Sequence, residues 1–473
     1  FGASAVAARL NDSGAKVMLT ADTFLRRGAR VPMLSTAREA VAASPALATV
    51  VSLNRFPEEP PPSNDFLLWG EVFGQASPER SAPDLDPETP WMIAYTSGTT
   101  GRPKGSVHVH GGFLVKIAQE VAYQLDARVS DVIYWVTDMG WIMGPFEMVG
   151  GHAAGASVFM YEGAPNHPGP DRLWAMCARH NVSVLGVSPT LVRALMPAGE
   201  DAVRAHDLSS LRILGSTGEP WNPEPYRWLA RVVGDNRCPI MNLSGGTEVG
   251  ACFLGQAPVV PTKVCSLGQP SLGMAIDVWD AEGKPVRGEV GELVCTKPWP
   301  AQTRGFWRNP ERYLEAYWSR WPNVWVHGDW ASIDDDGYWF LHGRSDDTLN
   351  IAGKRIGPAE FESAAVEHEA VVECAAVGVP DEIKGTAVWC FCIPAPGFDP
   401  DERLAVDVKA SIARQLGKAF SPAQVRFVDE LPKTRSAKIL RRAIRAKLLH
   451  EDAGDLSSLE NPSALDAIDR ALR

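Results

Sequence analysis

YTSGTTGRPKG (95–105) is the stretch on which the reading of this chain turns. It packs four small hydroxylated residues, three glycines and one lysine into eleven positions, directly after the apolar run WMIA (91–94). A strand that ends in such a loop presents backbone N–H groups and hydroxyls to an anion. The glycines allow close approach and Lys104 adds charge. Proteins hold the phosphates of a nucleotide in this way. No Gly-Lys-Ser/Thr follows a glycine at the Walker A spacing, so this is not a P-loop. The competing reading is a plain turn of Ser, Thr and Gly.

Working outward, 473 residues are too many for one ordinary core, and two or more domains are expected. Hydrophobic residues at 45% and charged residues at 22% are those of a globular protein. A net charge of −11 argues against nucleic acid or an anionic membrane as partner, while leaving room for a local basic pocket. No apolar run reaches the length of a membrane span, and FGASAVAARLNDSGAK (1–16) lacks the basic start of a signal peptide. The eight cysteines complete no zinc pattern; only Cys390 and Cys392 lie close together. Reduced thiols in a cytoplasmic protein are expected. The chain does not begin with Met, and a fragment or processed form is expected.

Up to about residue 250, short β-rich runs alternate with amphipathic segments. Strands are expected at 17–20, 48–53, 91–95, 132–136, 157–161, 182–187, 211–214 and 239–243, with helices at 113–125, 171–180 and 223–233. Such alternation predicts an α/β fold with helix-covered sheets. Residues 56–90, rich in Pro, Glu and Asp, read as a surface connection. From about 250 to 345 the chain turns β-rich, with Gly and Pro punctuation and many tryptophans. A second compact α+β unit follows, with helices at 358–369 and 404–416 and strands near 371–379 and 386–393. Residues 451–473 read as a loosely held polar tail.

Ligands of α/β sheets gather at the carboxyl ends of strands. Two further strand ends carry a small, open backbone beside a carboxylate: GSTGEP (215–220) and SGGTE (244–248). Glu248 beside a phosphate loop suits Mg²⁺, which takes one or two carboxylates plus phosphate oxygens. Either glutamate could instead be an ordinary helix N-terminal residue. In HGDW (327–330) and GRSDD (343–347), Asp329 suits a ribose diol and Arg344 suits nucleotide oxygens, against the commoner reading of a surface ion pair. LPKTRSAKI (431–439) offers a lysine able to neutralise a developing phosphoryl charge, although basic stretches are usually solvated faces.

Taken in order, YTSGTTGRPKG, STGEP, SGGTE, HGDW, GRSDDTLN and PKTRSAK resemble the AMP-forming acyl-CoA synthetases of the adenylate-forming superfamily, over nearly the whole chain. DMGWIMGP (138–145), GRSDDTLNIAGKRIGPAEFE (343–362) and the Lys438 motif look most like the acetyl-CoA synthetase branch. GELVCTKPWP (291–300), FWRNPERYLEAYW (306–318) and WVHGDW (325–330) are closer to acetoacetyl-CoA synthetases.

The resemblance implies a large adenylation domain at 1–345, lacking its N-terminal portion, and a small mobile domain at 346–473. It implies a short- or medium-chain carboxylate joined to ATP, with Mg²⁺, as acyl-AMP, and then passed to CoA. Thr96, Ser97, Gly98, Thr99, Thr100 and Lys104 would grip phosphates, with Thr96 also catalytic. Gly218, Glu219, Pro220, Asn242, Gly246 and Thr247 would form the nucleotide pocket, with Glu248 for catalysis and metal. Asp329 would take the ribose hydroxyls, with Arg344 nearby on the nucleotide, and Lys438 would be the adenylation lysine. Asp346 would be the hinge that swaps Lys438 for the 350–355 loop, after which Gly353, Arg355, Arg26 and Arg414 would line the CoA route. Trp141, Ile142, Met143, Thr217 and Gly245 would line the acyl pocket.

Two departures stand out. Acetyl-CoA synthetases close that pocket with a tryptophan where this chain has Gly245, and Thr217 replaces a small aliphatic residue. A pocket deeper than acetate needs is expected, unless Met143 or another residue refills the space. Ala437 stands where glycine is usual before the lysine, which implies a stiffer loop. Lys438 is also a candidate for reversible acylation by a lysine acyltransferase and deacylase. Two alternatives are an adenylating enzyme that charges a carrier-protein thiol and a non-catalytic adenylate binder.

Overall fold

The computed structural model describes residues 2–56, 66–77, 79, 81–96, 104–345, 349–351, 354–381, 385–434, 439–454, 456 and 459–473. At its centre lies a five-stranded sheet in the order Ile240–Asn242, Ile213–Ser216, Val184–Val187, Val132–Trp135, Ser157–Val158. Every neighbouring pair is parallel. The sequence reason is plain. ILGS, VLGV and VIYW are runs without a polar face, and strands of that kind must be covered on both sides. One face carries Leu173, Trp174, Leu185, Leu214, Trp228 and Leu229. The other carries Phe113, Ile117, Ile133, Trp135, Val184 and Ile213. The expected strand at 157–161 shrinks to Ser157–Val158, and the helix expected at 223–233 divides into the α-helix Pro223–Trp228 and the π-helical turn Leu229–Val233.

Residues 95–105 differ from expectation in their setting. Their flanks, Pro90–Thr96 and Lys104–Val109, form an antiparallel pair of their own, with Thr96 opposite Lys104, rather than a strand end of the central sheet. The second strand then takes backbone bonds from 304–307, through Arg304 N–H to Val107 O (2.9 Å) and Trp307 N–H to Gly105 O (2.7 Å).

The stretch at 56–90 is not merely a connection. Leu67–Leu68 adds a third parallel strand to Val17–Ala21 and Thr49–Leu53, and the helix Trp69–Gly74 follows. The β-rich region is a four-stranded antiparallel sheet of Ile276–Trp279, Gly291–Cys295, Trp325–Ile333 and Trp339–Arg344. Its many aromatics make its core. Trp325 stacks on Tyr317 at 4.0 Å between ring centroids, a contact worth about 0.5–1.5 kcal/mol beyond its buried area.

The C-terminal unit has the sheet Val371–Asp381, Gly385–Pro394, Gln424–Phe427, covered by helices that include Pro358–Val366 and Glu402–Leu416. The tail is a correction. Ser463–Ala471 is a helix whose Ala464, Ala467 and Ile468 are buried, with Ile468 packed in the cluster of Phe391 and Ile444. Its apolar positions recur at the helical spacing, but small alanines carry the stripe and composition alone hides it. All eight cysteines are free. Among the described residues, no helix is long and apolar enough to cross a membrane.

Candidate active site

Glu248 follows the short strand Ser244–Gly246 and is buried, and it accepts a hydrogen bond from the Thr96 hydroxyl at 3.3 Å. Three further contacts fix this corner. His108 Nε2 lies 2.8 Å from the Thr247 carbonyl, and Thr303 N–H donates to the Glu248 carbonyl at 3.1 Å. Tyr317 bonds the Glu248 carboxylate, and burial first, then that carboxylate, push its phenol well above the ordinary range. Burial likewise pulls the His108 imidazole down, favouring its neutral form. Lys104 reaches over the same aromatic floor, its Nζ 5.5 Å from the Phe306 ring and 5.8 Å from Tyr317.

Behind Gly246 stands His327; a Cβ at 246 would meet its ring at 3.0 Å. The Trp325 indole donates to His327 Nδ1 at 3.4 Å. An indole N–H only donates, so in the neutral ring the proton sits on Nε2, which faces Asp329 at 3.7 Å. Arg344 crosses from the adjacent strand and bonds Asp329 Oδ1 at 3.3 Å and the His327 carbonyl at 3.0 Å. Gly328, at φ +84°, makes room for that crossing, since a Cβ there would lie 2.7 Å from Arg344 Nη2. The two residues read as ribose and nucleotide contacts are thus joined to each other.

GSTGEP behaves differently from its reading. The Glu219 carboxylate is turned to the start of the helix Pro189–Leu195. There it accepts from Thr190 N–H at 2.8 Å and from the Thr190 hydroxyl, and pairs with Arg193 at 2.8 Å. It shapes the loop from beneath. Gly218, at φ +107° with no atom near its missing Cβ, and Pro220 form the open part, and among the described residues the buried Ser216 hydroxyl below has no partner. Asn242 is buried and donates to the Ser266 carbonyl at 3.2 Å.

Trp141 and Ile142 lead into the helix Met143–Ala153, and Ile142 and Met143 pack on the same cluster as Trp135 and Phe146. Thr217 directly follows the strand Ile213–Ser216. Gly245 has a reason of its own to lack a side chain. A Cβ there would sit 1.9 Å from the Ala251 carbonyl oxygen of the paired strand, so it points at backbone and not at open space.

Arg26, placed on the CoA route, pairs with Glu460 at 2.5 Å. Arg414 lies in the last turn of Glu402–Leu416, and among the described residues no bond joins it to the other candidates. Ser97, Gly98, Thr99, Thr100, Asp346, Gly353, Lys438 and the departure at Ala437 lie outside the described residues, as does the Arg355 side chain on the strand Lys354–Ile356. Sequence reasoning missed His108, Arg193 and Tyr317; the last stands in the quoted FWRNPERYLEAYW, where its register toward Glu248 could not be read.

Among the described residues no group of three or more metal-ligating side chains forms a closed metal site. The donor set at Glu248 and Thr96 nonetheless fits Mg²⁺ bound together with a nucleotide. It offers hard oxygens, one of them a buried carboxylate, and leaves the rest of the shell to phosphate and water.

Comparison with known proteins agrees with this geometry. The family model described as AMP-binding enzyme matches residues 1–307, and that of the AMP-binding enzyme C-terminal domain matches 360–438. The chain belongs to the AMP-binding enzyme family. The acetyl-coenzyme A synthetase of Methanothrix thermoacetophila is 40% identical over 99% of this chain and 72% of its own length. That of Pyrobaculum aerophilum is 39% identical over 100% and 72%. Among solved structures, the acetoacetyl-CoA synthetase from Streptomyces lividans is 31% identical with a TM-score of 0.89, over all of this chain and 72% of the other. An anthranilate CoA ligase in complex with anthranoyl-AMP is 26% identical with a TM-score of 0.81, over 95% and 82%.

Proposed function

We propose that this AMP-forming acyl-CoA synthetase, which uses ATP, Mg²⁺ and CoA, acts on a short or medium aliphatic carboxylate through the residues gathered around Glu248. The observation that carries the assignment is the meeting of Thr96 and Glu248 at 3.3 Å, from segments 152 residues apart. In the first half-reaction a carboxylate oxygen attacks the α-phosphorus of ATP, the bond to the bridging oxygen breaks, and pyrophosphate leaves. Thr96, Lys104 and the residues at 97–100 hold the triphosphate. Asp329 and Arg344 orient the ribose, and Gly218 and Pro220 border the base. Glu248 would hold the Mg²⁺, which when bound would offset the charge of the phosphate oxygens. Lys438 donates to the oxygens on which charge develops. In the second half-reaction the CoA thiolate attacks the acyl carbonyl, and AMP leaves with the bonding pair.

The two halves call for two arrangements of the unit after about residue 345, with Asp346 as the pivot and Gly353, Arg355, Arg26 and Arg414 along the CoA path. For Arg26 this requires release of Glu460. A lysine acyltransferase acting on Lys438 would remove the adenylation charge, and the cytoplasm is the compartment that supplies all the substrates.

The test is exchange of labelled pyrophosphate into ATP over a panel of acids, followed by AMP release with and without CoA. Exchange with at least one acid and CoA-dependent AMP release are expected, and Glu248→Gln should cut exchange by about 10²-fold or more. Exchange with AMP release that CoA does not stimulate would favour a carrier-protein acceptor. No exchange with any acid would end the reading.

A further inference from the structure

The parallel register of the central sheet places Trp135, Gly186, Gly215 and Met241 side by side in one row. The Trp135 indole does not stand up from the sheet but lies across it. A Cβ at Gly186 would fall 2.0 Å from the ring, and one at Gly215 would fall 2.6 Å from its far edge. Two neighbouring strands therefore give up their side chains under a single aromatic plate. Residues two apart on a strand share a face. One such step past Gly215 stands Thr217. Over that face lies the start of the helix Met143–Ala153, where Ile142 and Met143 pack on the cluster that contains Trp135.

The plate is fixed from the side. Trp135 N–H lies beyond the end of the short edge strand Ser157–Val158, and Glu147 supplies the missing acceptor at 2.7 Å. Phe146 meets the ring edge-on at 6.4 Å. Trp135 nevertheless keeps 4% of its surface.

We infer that Trp135 is the floor of the acyl pocket and sets the longest carboxylate accepted, a role that glycines at 186 and 215 allow. This rests on the proposed function, which places Ile142, Met143 and Thr217 beside the acyl group. It also bears on the missing wall at Gly245. With position 245 closed off by the Ala251 carbonyl, depth is decided beneath the substrate and not beside it.

The experiment compares kcat/KM for acetate, propionate, butyrate, valerate and hexanoate in the wild type, Trp135→Phe and Gly215→Ala, each checked for a cooperative melt. Trp135→Phe should shift the ratio of longer to shorter acids upward by roughly four-fold for each methylene newly accommodated, while the KM for ATP stays within about two-fold. Gly215→Ala lifts the plate and should shift the ratio the other way. Equal loss on every acid in both variants would make Trp135 a purely structural residue and overturn the inference. Should Gly215→Ala fail to fold, the Trp135→Phe ratios decide alone. Absence of pyrophosphate exchange in the wild type would instead defeat the proposed function, so the two failures are distinguishable.

Discussion

Asn222 donates its side-chain amide to the Ser363 hydroxyl at 2.8 Å, joining the segment after GSTGEP to the helix Pro358–Val366 of the C-terminal unit. Asn222 occupies the N-cap of Pro223–Trp228 in extended conformation, where such a side chain would ordinarily cap the helix, yet it makes no cap bond. Its Oδ1 instead accepts from Arg193 at 3.2 Å, and Arg193 holds Glu219 at 2.8 Å. A continuous run of bonds thus leads from the loop expected to face the nucleotide to the part of the chain expected to move.

Breaking that run should loosen the docked arrangement. Ser363→Ala removes only the last bond, a neutral one worth about 1 kcal/mol. It should raise protease sensitivity near residues 346–357 and shift the balance between the adenylation and thioester rates, with little change in melting temperature. Asn222→Ala also frees Arg193, so it should raise the KM for ATP as well. The double variant should show coupling of about 0.5–1.5 kcal/mol. Strict additivity would mean that the bond carries no energy in solution.

Gly328→Ala combines two costs. A left-handed backbone at φ +84° disfavours a Cβ by about 1–2 kcal/mol, and that Cβ would press on Arg344 at 2.7 Å. Loss of Arg344 from Asp329 should show chiefly in ATP affinity. A several-fold higher KM for ATP with an unaltered ranking of acids is the expected outcome, read by steady-state kinetics. An unchanged KM for ATP would detach the Asp329–Arg344 pair from nucleotide binding.

Glu147 should make stability depend on pH. Burial pushes its carboxyl from 4.5 up to about 8, partly offset by the Trp135 N–H. Below pH 4.5 both folded and unfolded chains carry the proton and the group costs nothing. Between 4.5 and 8 only the folded state keeps it, so stability falls as pH rises, and above about 8 the loss is complete. Glu147→Gln can still accept from Trp135 and cannot ionise. Its melting temperature should match the wild type near pH 4 and exceed it by several degrees near pH 8.5, by scanning calorimetry. Parallel curves across that range would show that Glu147 does not titrate as its burial demands.

The fold class was legible, because glycine-rich turns and apolar runs are local signals. What could not be read was direction. Glu219 and Glu248 each follow a small, open loop, yet one faces Thr190 and Arg193 beneath the loop and the other faces Thr96. The difference is set by partners 26 to 152 residues away. Gly245 was read as an absence of wall, whereas the close approach of Ala251 gives a steric reason for it that only the strand pairing reveals. Gly186 falls in the strand expected at 182–187 and Gly215 in the loop GSTGEP, and only the strand register sets both under Trp135. The helix Ser463–Ala471 had the right period but too little apolar bulk to stand out.

The last structured turns also bear on how the protein is made. Asn461 accepts from Lys433 N–H at 2.9 Å, and Glu460 N–H donates to the Lys433 carbonyl at 2.8 Å, so Lys433 is seated by a segment translated later. While a nascent chain is still on the ribosome with 459–461 inside the exit tunnel, Lys433 has neither partner. The setting of Lys433 is therefore completed only after synthesis has passed this point.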